Sequence, residues 1–249
     1  MYLSWVIPAY REERRIEKTL REVHAYLQAR VRSGLVSRYE IIVADSSSPD
    51  QTQAIVRRLQ AELANLELLV VENRGKGWGV KQGMLQAAGD IRLFSDADNS
   101  TAPEYFDAMA VQFREGFEVV ISSRDPKDAP GSSRDVKEPW YREVLGNMGN
   151  LVIQTFGVWG VWDTQNGFKA MTAKAADLIF SQTLIPGFAF DIEVLALARK
   201  YRLRVGIIPI RWKFDPDSKV TLKAYLQVFL DVFRIRWNFM RGAYRRVAS

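Results

Sequence analysis

Ile91-Arg92-Leu93-Phe94-Ser95-Asp96-Ala97-Asp98 is the stretch on which the reading of this chain turns. An apolar, strand-like run ends in two carboxylates one residue apart. At the exit of a strand, such a pair makes a compact oxygen site for a hard divalent cation. That cation typically keeps several waters and bridges a few carboxylates to substrate phosphates. Asp-x-Asp is also common in solvated turns, so the pair takes its meaning from the segments around it.

On either side, strand and helix signals alternate. Leu3–Ile7, Tyr39–Ala44, Leu66–Val71 and Phe117–Ser122 are short, mostly apolar runs. Between the first two, Glu12–Arg32 carries Ile16, Leu20, Val23 and Leu27 at helical spacing, and Gln51–Leu63, Trp78–Ala88 and Tyr105–Phe113 read as further helices. This alternation predicts βαβ units, an α/β fold with a mostly parallel sheet flanked by helices. Ligands of such sheets bind beyond the carboxyl ends of the strands. The polar segments that follow strands, Pro8–Glu13, Asp45–Thr52, Asn73–Gly79 and Asp96–Thr101, are therefore expected to converge at one edge. From Arg124 to Arg142 the composition shifts to Asp, Pro, Gly, Ser and Arg without periodicity, which reads as a long mobile loop, functional or disordered. An apolar segment, Val144–Val161, a polar cluster, Asp163–Lys169, the strand-like Arg204–Ile210 and a long helix complete the chain.

With 249 residues and 47% hydrophobic content, one large domain with a full core is expected. Cysteine is absent, which excludes disulfides, thiolate metal sites and a thiol nucleophile and fits a reducing cytoplasm. His24 is the single histidine and, in a charged helical segment, is expected at the surface. Acid–base chemistry then falls to carboxylates, lysine or tyrosine. The net charge of +6 is unevenly placed: from Arg234 onward come Arg234, Arg236, Arg241, Arg245 and Arg246 with no acidic side chain. A basic end of this kind favours nucleic acid or an acidic lipid surface. The chain begins on a strand-like run, which leaves no signal peptide to expect. The uncharged stretch Val144–Trp162 is interrupted by Asn147, Asn150 and Gln154, and no clean run of about 18 apolar residues occurs, so no transmembrane helix is expected.

Seven segments, in order, resemble the family 2 glycosyltransferases of the GT-A fold (a Rossmann-like nucleotide-diphospho-sugar transferase fold), and within them the polyprenyl- or dolichyl-phosphate hexose synthases. Val6-Ile7-Pro8-Ala9-Tyr10 with Glu12-Glu13 resembles the opening strand and nucleotide-binding turn. Ile41–Asp45 with Ser48, Asp50 and Thr52 resembles the second strand, VDDGSxDxT, although Ser46 stands where a second aspartate is usual. Asn73–Gly77 matches NxGKG, Asp96–Asp98 matches DxD, Asp163–Lys169 is close to DTQxGFK, and Phe190-Asp191-Ile192-Glu193 to FDxE. Trp212 with Ser218-Lys219-Val220 completes the set. The likeness runs from Val6 to about Val220, implying a catalytic domain over residues 1–220. Residues 221–249 then form a basic amphipathic helix.

The resemblance implies an inverting, metal-dependent hexosyltransferase. Pro8, Tyr10, Glu12, Asp45, Lys76 and Asp96 are implied to bind the nucleotide, with Tyr10 stacking on the base and Asp45 accepting from a base N–H. Glu13 reads equally as an acid placed by the helix dipole. Gly75 and Gly77 let backbone N–H groups approach phosphate. Asp98, with Ser100, is implied to hold Mg²⁺ or Mn²⁺, and Asp96, Asp98, Asp191 and Gln165 to form the catalytic set. Asp163–Lys169 reads otherwise as a turn capping a helix, and Asp191 as a helix cap. Arg124, Arg134, Arg142 and Lys219 are candidate phosphate ligands for the acceptor, Arg134 and Arg142 being equally readable as solvated loop charges. Asp98-Asn99-Ser100-Thr101 resembles the glucose synthases more than the mannose synthases, which favours UDP-glucose over GDP-mannose. The implied acceptor is a polyprenyl phosphate, already an anion and in no need of a strong base. Transfer to a glycan or soluble hydroxyl, with Asp191 as base, stands as the alternative within the class. A nucleic-acid-binding module and a non-catalytic homologue are further alternatives; the first is disfavoured because the basic tail shares its helix with aromatic residues.

That helix shows an apolar stripe of Leu222, Leu226, Phe229, Phe233, Trp237, Met240 and Tyr244. The opposite face carries Lys223, Gln227, Asp231, Arg234, Asn238, Arg241 and Arg245. It either packs on the sheet or lies on an anionic lipid surface. Leu145–Trp162 is a second candidate interfacial element. Peripheral attachment at the cytoplasmic face of a membrane, or a separate membrane-protein partner, is expected.

Overall fold

The structure, a computed structural model, describes residues 1–134, 153–212 and 222–244. Its frame is a seven-stranded sheet in the order β3-β2-β1-β4-β7-β5-β8. The strands are β1 (Tyr2–Ala9), β2 (Arg38–Asp45), β3 (Leu66–Val70), β4 (Ile91–Ser95), β5 (Val119–Ser123), β7 (Phe168–Thr172) and β8 (Val205–Pro209). Neighbouring pairs run parallel except at β7, which lies antiparallel between β4 and β5. A separate parallel pair joins β6 (Ser133–Arg134) to β9 (Arg211–Trp212). Arg124–Arg142, expected as one irregular loop, thus contains a short strand within its described part. Its remainder lies outside the described residues.

The sheet is covered on both faces, as a mostly parallel sheet must be. Side chains alternate along β1, so Leu3, Trp5 and Ile7 join one core layer and Val6 the other. The first layer takes α1 (Ile16–Arg32), α2 (Thr52–Gln60) and α4 (Phe106–Arg114), through Ile16, Leu20, Val23, Leu27, Val56, Leu59, Phe106 and Met109. The second takes α3 (Lys76–Gln86), α5 (Ala173–Phe180), α6 (Phe190–Lys200) and α7 (Leu222–Met240). His24 is buried at 8% exposure on α1, its ring edge-on to Tyr39 at 5.9 Å, which corrects the surface placement expected from its charged neighbours. The helix presents it on the same side as Val23 and Leu27.

The final helix packs by a different face from the one its apolar residues suggest. Asp231, Val232, Ile235 and Asn238 are buried, whereas Leu226, Phe229, Leu230, Phe233, Trp237 and Met240 are 40–68% exposed. The apolar stripe from Leu226 to Met240 therefore faces outward, and two members of its nominal polar face, Asp231 and Asn238, face inward. Tyr244, just beyond the helix, is buried at 2%. In the preceding apolar segment a π-helical turn at Ile153–Gly157 packs Ile153, Val158 and Val161 inward, while Trp159 stays 73% exposed. Among the described residues no helix is long and apolar enough to cross a membrane.

Candidate functional site

The carboxyl ends of β1, β2 and β4 open on one edge, and the polar segments after them meet there. Hydrogen bonds tie the first two together: the Glu12 N–H donates to Thr52 Oγ1 (2.8 Å), the Arg11 N–H to Ser48 Oγ (3.0 Å), and the Gln51 N–H to Glu13 Oε2 (3.0 Å). Glu13 is thus a clasp between two turns. Asp45 ends β2 fully buried. Its Oδ1 accepts from the Ser48 N–H at 2.8 Å and from Gln53 Nε2 at 2.7 Å, while Oδ2 has no partner. A buried, unanswered carboxylate oxygen is costly, and at this strand end it matches a ring N–H of a nucleobase. Ser47, where the family pattern carries glycine, adopts a left-handed φ of 51° and holds it with a hydrogen bond from its Oγ to Val71 O at 2.8 Å. Pro8 lies near the end of β1, and beside it Tyr10 is 38% exposed, with the Arg11 guanidinium 5.3 Å from its ring centroid. The Glu12 carboxylate is paired with Arg15, and Arg15 Nη1 lies 3.9 Å from Asp98 Oδ2. Arg15 therefore connects the first turn to the Asp-x-Asp turn, a role that no motif signalled.

The Asp-x-Asp turn is fixed from behind. Thr19 Oγ1 of α1 donates to Ala97 O at 2.6 Å, Trp5 Nε1 donates to Ser95 Oγ at 2.8 Å, and Asn99 turns the chain with a φ of 49°. Asp98 Oδ1 accepts the Ser100 N–H at 2.9 Å. Burial, and then the neighbouring charge of Asp96, raise the Asp98 carboxyl above the ordinary aspartate range. Asp96 is paired instead with Lys76, its Oδ1 2.5 Å from Lys76 Nζ. Burial alone would lower the Lys76 ammonium, but Asp96, Asp191 and Asp98 outweigh it and hold the group above its ordinary value. Lys76 is thereby kept charged, in contact with Asp96 and in the field of Asp98 and Asp191.

The loop that carries Lys76 is moulded closely. Gly75 has a φ of 118°, and a Cβ there would lie 2.6 Å from Pro186 O, so both conformation and space exclude a side chain. On the other side of Asp96 stands Gly167, where a Cβ would come within 2.3–2.6 Å of all three carboxylate atoms of Asp96. The turn Asp163–Gly167 leads into β7 and not into a helix, which corrects the capping reading of that cluster.

Lys169, two residues further, was not singled out from sequence. It is fully buried, and its Nζ donates to Asp191 Oδ1 (2.5 Å) and to Asn166 O (2.5 Å). Asp191 is consequently an ion-pair partner and not a helix cap; the residue preceding α6 is Ala189 and no side chain caps it. Burial pushes the Asp191 carboxyl up, with Lys169 and Lys76 pulling against it. The signal for Lys169 lay in the sequence as a lysine at the second position of an otherwise apolar Phe168-Lys169-Ala170-Met171 run.

Gln165 is exposed on the turn before β7. Arg124 follows β5, and its Nε and Nη2 donate to the two Asp163 oxygens at 2.8 and 2.7 Å, a bidentate fork that fastens the β5 exit to that turn. Arg134 is on β6; Arg142 and Lys219 lie outside the described residues, as do Arg245 and Arg246. Among the described residues no group of three or more His, Cys, Asp or Glu side chains is arranged to hold a metal ion. Asp96 and Asp98 nevertheless fit a divalent cation of the kind that takes one or two carboxylates and completes its shell with water and substrate oxygens. Their mutual repulsion is what such an ion would relieve.

The mostly parallel α/β sheet thus brings Asp-x-Asp, a glycine-lysine-glycine turn and an unanswered carboxylate to one edge. The family described as Glycosyl transferase family 2 matches residues 4–176. The chain belongs to that family. It is 32% identical over 254 residues to a dolichyl-phosphate beta-glucosyltransferase of Drosophila melanogaster, covering 98% of this chain and 77% of that one. The human protein of the same name is 30% identical, at the same coverage of 98% and 77%. Among solved structures, glucosyl-3-phosphoglycerate synthase from Mycobacterium tuberculosis, in complex with Mn²⁺, UDP and glucosyl-3-phosphoglycerate, superposes with a TM-score of 0.67. Its identity is 20%, covering 94% of this chain and 79% of that chain. Mannosyl-3-phosphoglycerate synthase from Rubrobacter xylanophilus gives 0.69 at 17% identity, covering 99% and 77%. These two likenesses establish the GT-A architecture expected from the motifs.

Proposed function

We propose that this chain transfers glucose from UDP-glucose to a polyprenyl phosphate of the dolichyl type, at a membrane surface, with inversion at the anomeric carbon. The observation that carries the reading is the cluster of Lys76, Asp96, Asp98 and Asp191 at the sheet edge, beside the unanswered Asp45 Oδ2. The names of the relatives supply the acceptor and the sugar.

Asp45 Oδ2 accepts the base N–H and Tyr10 stacks on the ring. Asp96 and Asp98 would hold a divalent ion, Mg²⁺ or Mn²⁺, which when bound would neutralise charge on the diphosphate. Lys76, kept protonated by its three carboxylates, adds positive charge at the same place. An oxygen of the lipid phosphate attacks the anomeric carbon from the face opposite the diphosphate. The bond from that carbon to the diphosphate oxygen breaks, and UDP departs. No proton need be taken from the acceptor, which agrees with Asp191 being engaged by Lys169 and not free to act as a base.

The lipid is reached through α7. Leu226, Phe229, Leu230, Phe233, Trp237 and Met240 form an outward face, with Arg234, Arg236 and Arg241 also exposed on or just after the helix. At ~100° per residue, Arg236 falls on one shoulder of that face and Arg234 and Arg241 on the other. An apolar strip between cationic shoulders suits the plane of an anionic bilayer. The chain is peripheral in this reading.

The test is incubation with Mn²⁺ and polyprenyl phosphate, with UDP-glucose and GDP-mannose offered separately and the lipid analysed by mass spectrometry. A hexosyl phospholipid from UDP-glucose alone is expected. Product from GDP-mannose alone would overturn the sugar assignment. Donor hydrolysis without any lipid product would overturn the acceptor.

A further inference from the structure

Glu193, the second acid of Phe190-Asp191-Ile192-Glu193, has no part in the chemistry described, yet it is completely buried. One oxygen, Oε1, accepts the Leu184 N–H at 2.9 Å and the Tyr244 hydroxyl at 2.6 Å; the other, Oε2, accepts the Ile185 N–H at 2.9 Å. Three donors from two separate segments converge on a single carboxylate. Lys81 of α3 holds the start of the same loop by donating from Nζ to Thr183 O at 2.8 Å.

What that loop does is visible in its other contacts. Pro186 O accepts the Trp78 N–H at 3.0 Å. A Cβ on Gly75 would lie 2.6 Å from Pro186 O, and one on Gly77 would lie 2.6 Å from Phe190 Cβ, 2.8 Å from Gly187 O and 2.9 Å from Ile185 O. Residues 184–187 are therefore the mould against which the Gly75–Trp78 turn is pressed, and Lys76 projects from that turn to Asp96. Tyr244 is held at its other end as well. Lys200 Nζ donates to Tyr244 O at 2.6 Å, and the ring packs on Phe239 at 4.6 Å.

We propose that Glu193 is a positioning residue that couples the segment closing α7, through Tyr244, to the turn that receives the donor diphosphate. The inference rests on the reading that Asn73–Gly79 is the diphosphate turn. Glu193 touches neither donor nor acceptor. It sets where Gly75, Lys76 and Gly77 stand, and it links that placement to the helix whose outer face meets the lipid.

Hydrogen bonds that support a metal ligand from behind are typically worth about 10- to 100-fold in affinity or activity, and support of the diphosphate turn is expected at the low end of that range. Glu193→Ala is expected to raise the Kd for UDP in Mn²⁺, measured by calorimetry, about tenfold, and to raise the KM for UDP-glucose more than it lowers kcat. Tyr244→Phe removes one donor and keeps the ring, so a smaller rise is expected. Glu193→Gln keeps one accepting oxygen and should recover part of the affinity. Leu59→Ala, in the opposite core layer, serves as a stability control that lowers Tm and leaves the UDP Kd unchanged. If Glu193→Ala fails to fold, Tyr244→Phe and Glu193→Gln carry the test. Wild-type UDP affinity in both would overturn the coupling, as would an equal loss in Leu59→Ala. Lys76→Ala separates this from the underlying reading. Unchanged UDP binding in Lys76→Ala would overturn the donor site itself, whereas a loss there beside unchanged Glu193 and Tyr244 variants would overturn the coupling alone.

Discussion

Gly167→Ala adds one methyl group at the place where the structure has least room for it. The new Cβ would lie 2.3 Å from Asp96 Oδ2, 2.5 Å from Cγ and 2.6 Å from Oδ1. An ordinary carbon–oxygen contact needs about 3.4 Å, so the carboxylate must retreat by roughly 1 Å. The Gly167 backbone is outside the left-handed region, so alanine meets no conformational penalty and the effect is steric alone. Asp96 is 36% exposed as a side chain, so it can swing aside at a stability cost toward the low end of the ~1–3 kcal/mol typical of overpacking. In moving it abandons the 2.5 Å contact with Lys76. A displacement of about 1 Å in a reacting constellation costs about 100-fold in rate. The expected result is a fall of about 100-fold in kcat/KM for UDP-glucose and polyprenyl phosphate, with the thermal transition lowered by only a few degrees. A double variant with Asp96→Ala should be no worse than Asp96→Ala alone, because both act on the same carboxylate. Wild-type turnover by Gly167→Ala would refute the argument, and so would additive losses in the double variant.

Four further outcomes are expected. Asp98→Ala abolishes turnover while the thermal transition stays near wild type, since the fold asks of that carboxylate chiefly the Ser100 N–H; rates near wild type would remove Asp98 from the metal site. Asp191→Ala strands the buried Lys169 ammonium and should cost about 3–5 kcal/mol in denaturant unfolding, most of it recovered by adding Lys169→Met; an undiminished Asp191→Ala protein would mean that Lys169 reaches solvent. Burial lowers the His24 pKa below its ordinary ~6.5. The unfolded chain therefore takes up that proton first, and stability is lost as pH falls from about 6.5 toward the lower folded value. Wild type should lose more in melting temperature from pH 7.5 to 5.5 than His24→Gln, and equal losses would contradict the burial. Replacing Phe229 and Trp237 with serine should weaken sedimentation with anionic vesicles while leaving Tm near wild type, because both rings already face outward; undiminished binding would show that another surface of the chain holds the lipid.

The strands and helices from Leu3 to Arg114 were legible in the sequence because each is a local pattern. Ile16, Leu20, Val23 and Leu27 recur at helical spacing, and β1, β2 and β4 are short apolar runs with polar exits. The motifs placed Asp45, Asp96 and Asp98 just after strands and Lys76 at the start of α3, and parallel pairing brought those strand exits to one edge. Strand β7 was hidden because Lys169 interrupts its apolar pattern, and the buried lysine is tolerable there because Asn166 O and the Asp191 carboxylate, which arrives from α6 22 residues later, accept from it. His24 looked solvated for a similar reason: charged neighbours on a helix say nothing about which side of it meets the sheet. The same ambiguity applied to α7, where periodicity showed two faces but not which would be covered, and the fold buries Asp231 and Asn238 while exposing Phe229 and Trp237. Periodicity thus determined the alternation of strands and helices, and the resemblance to a known family nominated the chemistry-bearing residues. Pairing of buried charges, the close approach of Gly167 to Asp96, and the choice of which helix face to cover were decided by tertiary structure, because each depends on a group distant in sequence that supplies the opposing charge, the missing volume or the covering surface.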